Sequence, residues 1–281
     1  MRHATSLLIL AMATAPALAA PQCTENYGTG ATTVTLATGS PGELGLLKAL
    51  ADAFNAQHDT RLCWVKAGSG KSLQLLKDKQ VDLVLVHAPD AEKRAVAEGW
   101  AINRTLIGSN EFYLVGPSTD PAGIRNAKNA ADAYHLIAQS ASPFLSRGDN
   151  SGTHKKELSI WKMAAEQPKG SWYKETQDFM LATLLQADKQ AAYFMTDSST
   201  WVVGQSELKD TQILFRGDTY LVNTYNGLVQ PKGATPAQPY AEKLLAFIAS
   251  DAGQTVFRGF GAERYGEAMY NDAVYAEQYA D

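Results

Sequence analysis

Short apolar runs alternate with amphipathic stretches over the first hundred residues. Thr33-Val34-Thr35-Leu36-Ala37, Arg61-Leu62-Cys63-Trp64-Val65 and Asp82-Leu83-Val84-Leu85-Val86 read as strands. The third is apolar at every position after its Asp, the pattern of a strand covered on both faces. Between them Leu44, Leu47, Leu50, Ala51 and Phe54 recur at helical spacing, which predicts a helix over residues 43–55; a shorter one is predicted over 72–79. Strand, helix, strand, helix, strand implies a parallel sheet with helices on both faces. Such sheets bind ligands beyond the carboxyl ends of their strands.

The alternation continues. A helix is predicted around 91–98, a strand over 111–117, a turn at Asp120-Pro121-Ala122-Gly123 and a helix over 129–140. The apolar Pro143-Phe144-Leu145 then precedes a helix over 155–165, with Leu158, Trp161, Met163 and Ala164 on or near one face. A helix over 178–188 and a strand over 191–195 extend this second α/β unit. Residues 220–222 and 227–229 read as extended segments running back, and 237–248 and 252–260 as a helical tail. Linkers near 115–117 and 222–225 imply two lobes joined by a two-strand hinge, with a ligand enclosed between them. Lobe 1 then takes 32–114 and 226–281, and lobe 2 takes 115–225.

The start of the chain reads as a secretory signal peptide, residues 1–20. Arg2 is its basic start, Leu7-Leu8-Ile9-Leu10-Ala11-Met12 its apolar core and Ala17-Leu18-Ala19 its cleavage signature. Pro21-Gln22 before Cys23 are not the small or apolar residues that lipidation needs, so the mature protein is expected to be soluble and exported. Only Cys23 and Cys63 are present. An even pair in an oxidising compartment points to one disulfide, the alternative being a free thiol buried at Cys63 beside Trp64. Neither has a His or a second Cys at metal-ligand spacing. The formal charge of −4 becomes more negative when Arg2 is removed, which argues against a nucleic-acid partner. Any anion site must therefore work through local donors.

Three turns offer such donors. Ser146-Arg147-Gly148-Asp149-Asn150-Ser151-Gly152-Thr153-His154 sits between strand and helix, where unpaired backbone N–H groups converge; Arg147 adds a forked cation, and Ser151 and Thr153 add hydroxyls. A helix start merely capped by Asp149 or Ser151 fits the same composition. Thr38-Gly39-Ser40-Pro41-Gly42-Glu43 has the form of a capping box from Ser40 to Glu43, yet Gly39 at a strand's carboxyl end permits close backbone approach. In Ala67-Gly68-Ser69-Gly70-Lys71-Ser72 the first glycine of a nucleotide-binding loop is replaced by Val65, but free amides at a helix start suit any anion, with Lys71 expected in solvent. His87 ends a strand and either faces the cleft or satisfies a backbone carbonyl. No serine lies in a G-x-S-x-G elbow and no H-E-x-x-H spacing occurs.

Asp82-Leu83-Val84-Leu85-Val86-His87-Ala88-Pro89, Asn110 to Pro117 followed by Asp120-Pro121-Ala122-Gly123-Ile124, and Ser146-Arg147-Gly148-Asp149 with Ser151-Gly152-Thr153-His154 together resemble the tungstate-binding proteins of tungstate ABC importers. The likeness runs through most of the chain after the leader. It implies an α/β, two-lobed periplasmic-binding-protein (type II-like) fold with a two-strand hinge, which captures an oxyanion in the periplasm and delivers it to an inner-membrane ABC permease. On that basis the ligand contacts are expected from Thr38, Gly39, Ser40 and Ser69 in one lobe and Arg147, Ser151, Gly152 and Thr153 in the other. Asp149 is expected to brace its turn. The chain departs from the family at Thr38-Gly39-Ser40 and at Thr176-Gln177-Asp178; if Asp178 faces the site, a fully ionised anion is disfavoured. No cofactor, metal or nucleic acid is expected, and the chain is read as a monomer. The alternatives are a binder of another anion or small organic acid, and an exported hydrolase or phosphatase.

Overall fold

A computed structural model describes residues 21–280; the expected leader lies outside them. Lobe 1 is built from β1 (Glu25–Tyr27), β2 (Thr32–Thr38), α1 (Ser40–Glu43), α2 (Leu46–Asn55), β3 (Thr60–Lys66), α3 (Ser69–Lys77), β4 (Leu83–Val86), α4 (Pro89–Ala97) and the first part of β5 (Ile102–Pro117). Lobe 2 follows with α5 (Ala130–Ser140), β6 (Phe144–Ser146), α6 (Gly152–Met163), β7 (Tyr173–Glu175), α7 (Met180–Gln190), β8 (Tyr193–Asp197), α8 (Ser198–Gly204) and β9 (Thr211–Phe215). The chain returns through β10 (Val222–Val229) to α9 (Gln238–Ala249) and α10 (Asp251–Gly259), and ends in short helices at Ala262–Tyr265 and Ala273–Glu277.

Strand order is β1-β3-β2-β4-β10-β5-β8-β6-β7, with β9 also on β5. β5 is long enough to serve both lobes. From Ile102 to Glu111 it pairs with β10, and from Phe112 onward it pairs with β8 and β9. The two hinge strands are therefore β5 and β10. The sheet is mixed rather than parallel throughout: β2–β3, β2–β4, β6–β7 and β6–β8 are parallel, while β1, β5, β9 and β10 pair antiparallel. A chain that enters and leaves lobe 2 through adjacent strands must run them in opposite directions.

Alternation divides the core of lobe 1 between the two faces of its sheet. Leu62 and Trp64 of β3 join Leu36, Leu83 and Leu85 beneath α2 and α9, while Cys63 and Val65 join Val84, Val86 and Leu76 on the other side. Lobe 2 has its own core, with Trp161, Tyr134 and Phe144 packed edge to face.

Several boundaries differ from expectation. The helix expected over 43–55 is two helices, because Gly45 adopts a left-handed conformation (φ 94°) between them. Ser40 is not a cap: Gly39 holds that place without a side-chain bond, and Glu43 pairs with Lys66 at 2.7 Å. On α6 the buried face is Glu157, Ile160 and Trp161, whereas Leu158 and Met163 are exposed. Residues 219–221 form a 3-10 turn rather than a strand. Cys23 and Cys63 form a disulfide with a Cα–Cα distance of 5.3 Å. It fastens the chain beside β1 to β3, where Asn26 lies opposite Cys63.

Candidate functional site

Five segments at the carboxyl ends of parallel strands face one another between the lobes. Lobe 1 supplies the turns after β2 and β3 and His87 after β4; lobe 2 supplies the turn after β6 and the segment joining β7 to α7. The lobes touch closely. A Cβ on Gly68 would lie 3.1 Å from Ser151 Cβ, and one on Gly39 would lie 4.0 Å from the Phe179 ring. A Cβ on Gly152 would fall 2.4–2.7 Å from three ring atoms of His87, so only glycine admits this approach.

Arg147 lies at the centre and is 3 % exposed. Its Nε donates to the Asp178 carbonyl (3.1 Å) and its Nη2 to Asp149 Oδ2 (2.5 Å), and its guanidinium lies 5.2 Å from the Phe179 ring centroid. Nη1 has no acceptor among the described residues. Asp149 braces the turn as expected, since its other oxygen takes the Ser151 N–H at 3.1 Å. Ser151 Oγ caps α6 by accepting from His154 N (3.2 Å), which leaves the Gly152 and Thr153 amides as the helix's free donors. The cap and the site are thus the same turn. Across the gap α1 and α3 begin without side-chain caps, so the first amides of each, Ser40 and Ser69, are likewise unclaimed by a cap.

Seven of the eight expected residues, Gly39, Ser40, Ser69, Arg147, Ser151, Gly152 and Thr153, lie in these turns. The Ser40 and Thr153 hydroxyls bond to no other described residue. Ser69 Oγ accepts the His87 N–H at 3.2 Å. Thr38, the eighth, ends β2. Its hydroxyl donates to the Leu85 carbonyl (2.8 Å), and its own carbonyl accepts from Trp64 Nε1. Lys71 is exposed. Asp178 is exposed too, with its carboxylate bound to Gln186 Nε2 at 2.8 Å. Only its backbone carbonyl meets Arg147, so the extra carboxylate does not enter the site.

His87 belongs to a chain of polar groups that composition gave little sign of. Asp197, an acceptor, takes Asn110 Nδ2 at 3.1 Å; Asn110 Oδ1 takes Asn223 Nδ2 at 2.7 Å; Asn223 Oδ1 therefore faces His87 Nδ1 at 2.9 Å. Each amide is oriented by the one before it, which puts the imidazole proton on Nδ1 and a lone pair on Nε2. Burial, then the charge of Arg147, depresses the His87 pKa to about 3, so the ring is neutral. The chain runs from the cleft through both hinge strands to β8. Its members are short polar residues set inside apolar strands, the one signal that could have singled them out. Among the described residues no group of three or more His, Cys, Asp or Glu could hold a metal ion, and no helix is long and apolar enough to cross a membrane.

Residues 24–252 match the PBP superfamily domain. The tungstate-binding protein TupA of Peptoclostridium acidaminophilum is 33 % identical over 244 residues, covering 83 % of this chain and 82 % of that protein. A solved tungstate ABC transporter structure from Geobacter sulfurreducens superposes with a TM-score of 0.73 at 35 % identity, over 81 % of this chain and 98 % of that one. The tungstate-binding protein TupA of Desulfovibrio alaskensis G20 gives 0.71 at 35 % identity, over 86 % and 99 %.

Proposed function

The chain belongs to the PBP superfamily, and on that footing we propose that it is a periplasmic solute-binding protein, closing on a tungstate-like oxyanion for delivery to an ABC permease. Relatives and solved structures named for tungstate support the ligand class. The observation that carries the reading is Arg147, a buried cation whose Nη1 edge is unspent and which sits beside helix-start amides from both lobes. Asp149 neutralises one edge only, and Asp178 points away. A dianion would gain charge-assisted hydrogen bonds worth about 1.5–3 kcal/mol each. Because the donors come from both lobes, ligand and closure favour each other.

We read the protein as a binder rather than an enzyme, acting as a monomer. His154, the base nearest Ser151 in sequence, uses Nδ1 to accept the Asn150 N–H (3.0 Å), so that nitrogen does not activate the Ser151 hydroxyl. A thermal-shift panel of tungstate, molybdate, sulfate, phosphate and small organic acids tests the reading; a selective rise with tungstate is expected through linkage. Arg147→Ala should weaken tungstate binding by about a hundredfold or more, since it removes several charged hydrogen bonds at once. An unchanged calorimetric affinity in that variant removes Arg147 from the site.

A further inference from the structure

A cavity of about 390 Å³ lies between the lobes, bounded towards the Arg147 turn by His87 and Gly152. Its lining is cationic: Arg94 comes from α4 of lobe 1, and Lys155 and Lys156 come from α6 of lobe 2. Lys156 is held in place, its Nζ donating to the Tyr220 carbonyl (2.9 Å) and lying 4.1 Å from the Tyr220 ring centroid. Neither Lys155 nor Arg94 forms a salt bridge among the described residues, although Arg94 acts on Glu98 one turn further on, where its charge, after the Trp100 hydrogen bond and Lys77, helps to lower the carboxyl pKa. Asp90, at the exposed start of α4, is the one carboxylate in the lining. Positive charge is thus in surplus here, in a chain whose formal charge is −4. Like charges on opposite lobes oppose closure, at a cost that rises as the gap loses water.

We propose that this cavity is an accessory anion site, which takes a second small tetrahedral oxyanion between Arg94 and Lys155 and so stabilises the closed lobes. It extends the reading of the cleft as one that shuts on oxyanions, but it uses different side chains. The field at Lys155 agrees with the geometry: burial, then the charge of Arg94, lowers its pKa, as for an ammonium facing another cation. An anion lying between the two would reverse that effect.

Calorimetric titration of inorganic phosphate into protein carrying one equivalent of tungstate, with no excess, at pH 7.5 tests the proposal. One further equivalent is expected, and it should persist in Arg147→Ala. Arg94→Met and Lys155→Met should each weaken it about tenfold or more while leaving tungstate affinity within roughly threefold. Lys155→Arg should restore it, which separates lost charge from lost fold. No second equivalent overturns the proposal, and so does an equivalent that ignores both substitutions. Tighter tungstate binding in Lys155→Met without phosphate binding would mean simple repulsion, and also overturns it. If tungstate does not bind but the phosphate equivalent is lost in both variants, this site stands and the tungstate reading fails.

Discussion

At the scale of single residues, the least expected group is Glu157. It is buried on α6 behind the anion turn, and one oxygen accepts both Trp161 Nε1 (3.1 Å) and Tyr173 OH (2.8 Å). Burial pushes its pKa up to about 7. Between about pH 4.5 and 7 the folded protein then holds a proton that the unfolded chain has released, so stability falls as pH rises through that window. The penalty saturates above pH 7 at roughly 3 kcal/mol. Glu157→Gln keeps the doubly bonded oxygen without the charge. Its melting temperature should match the parent near pH 4 and exceed it at pH 8; parallel curves would show that Glu157 is not the titrating group. A periodic reading of this helix favoured Leu158 and Met163 for the core, because apolar character was the criterion. The fold instead buried a carboxylate whose indole partner, Trp161, lies one turn on in the same helix and whose phenol partner, Tyr173, comes from β7.

At the scale of elements, helix starts organise the cleft. Composition left the Arg147 turn open between cap and ligand site, and the structure shows that Ser151 caps the third amide while the first two stay unclaimed. Opposite it, His87 is fixed by Asn223 and packed beside Tyr225, with ring centroids 4.9 Å apart, so it cannot readily give way. Gly152→Ala should therefore hold the lobes apart. An overpacking cost of about 1–3 kcal/mol predicts tungstate binding weaker by roughly ten- to a hundredfold. Equal affinity in the variant would show that the His87–Gly152 approach is not needed for binding. Most helices were legible because their apolar faces repeat. The short strands β1, β7 and β9 were not, being only three to five residues long and half polar. The same is true of the first half of β5, whose polar Asn103, Arg104 and Thr105 hide a strand that only pairing with β10 creates.

At the scale of the whole molecule, two constraints hold the lobes in order. One is the pair of hinge strands, tied crosswise by Asn223, Asn110 and Asp197. The other is the disulfide, which fixes the edge strand β1 that is paired over only three residues. Closing a loop across a sequence separation of 40 contributes about 4 kcal/mol on the chain-entropy model. For a chain of this size, replacing both cysteines by serine should lower the melting temperature by roughly 10 °C. An unchanged midpoint in the double variant, with the native protein fully oxidised, would assign the bond no role in global stability.

Strand and helix periodicity, read with two cysteines and an expected leader, was enough for the α/β class, two lobes, a hinge and the disulfide. Those features depend on local patterning, which a linear chain records. Turn composition likewise marked seven of the eight expected residues that the structure gathers between the lobes. Which groups face inward was decided only by tertiary structure. Asp178 turns out to Gln186 because its carbonyl is held by Arg147, and Thr38 turns to Leu85 because β4 lies alongside. His87 becomes a neutral ring with a fixed tautomer through amides 23 and 136 positions away along the chain, and the accessory cavity exists only where α4 and α6 meet. Orientation and charge state depend on neighbours from distant segments, and no local pattern encodes those.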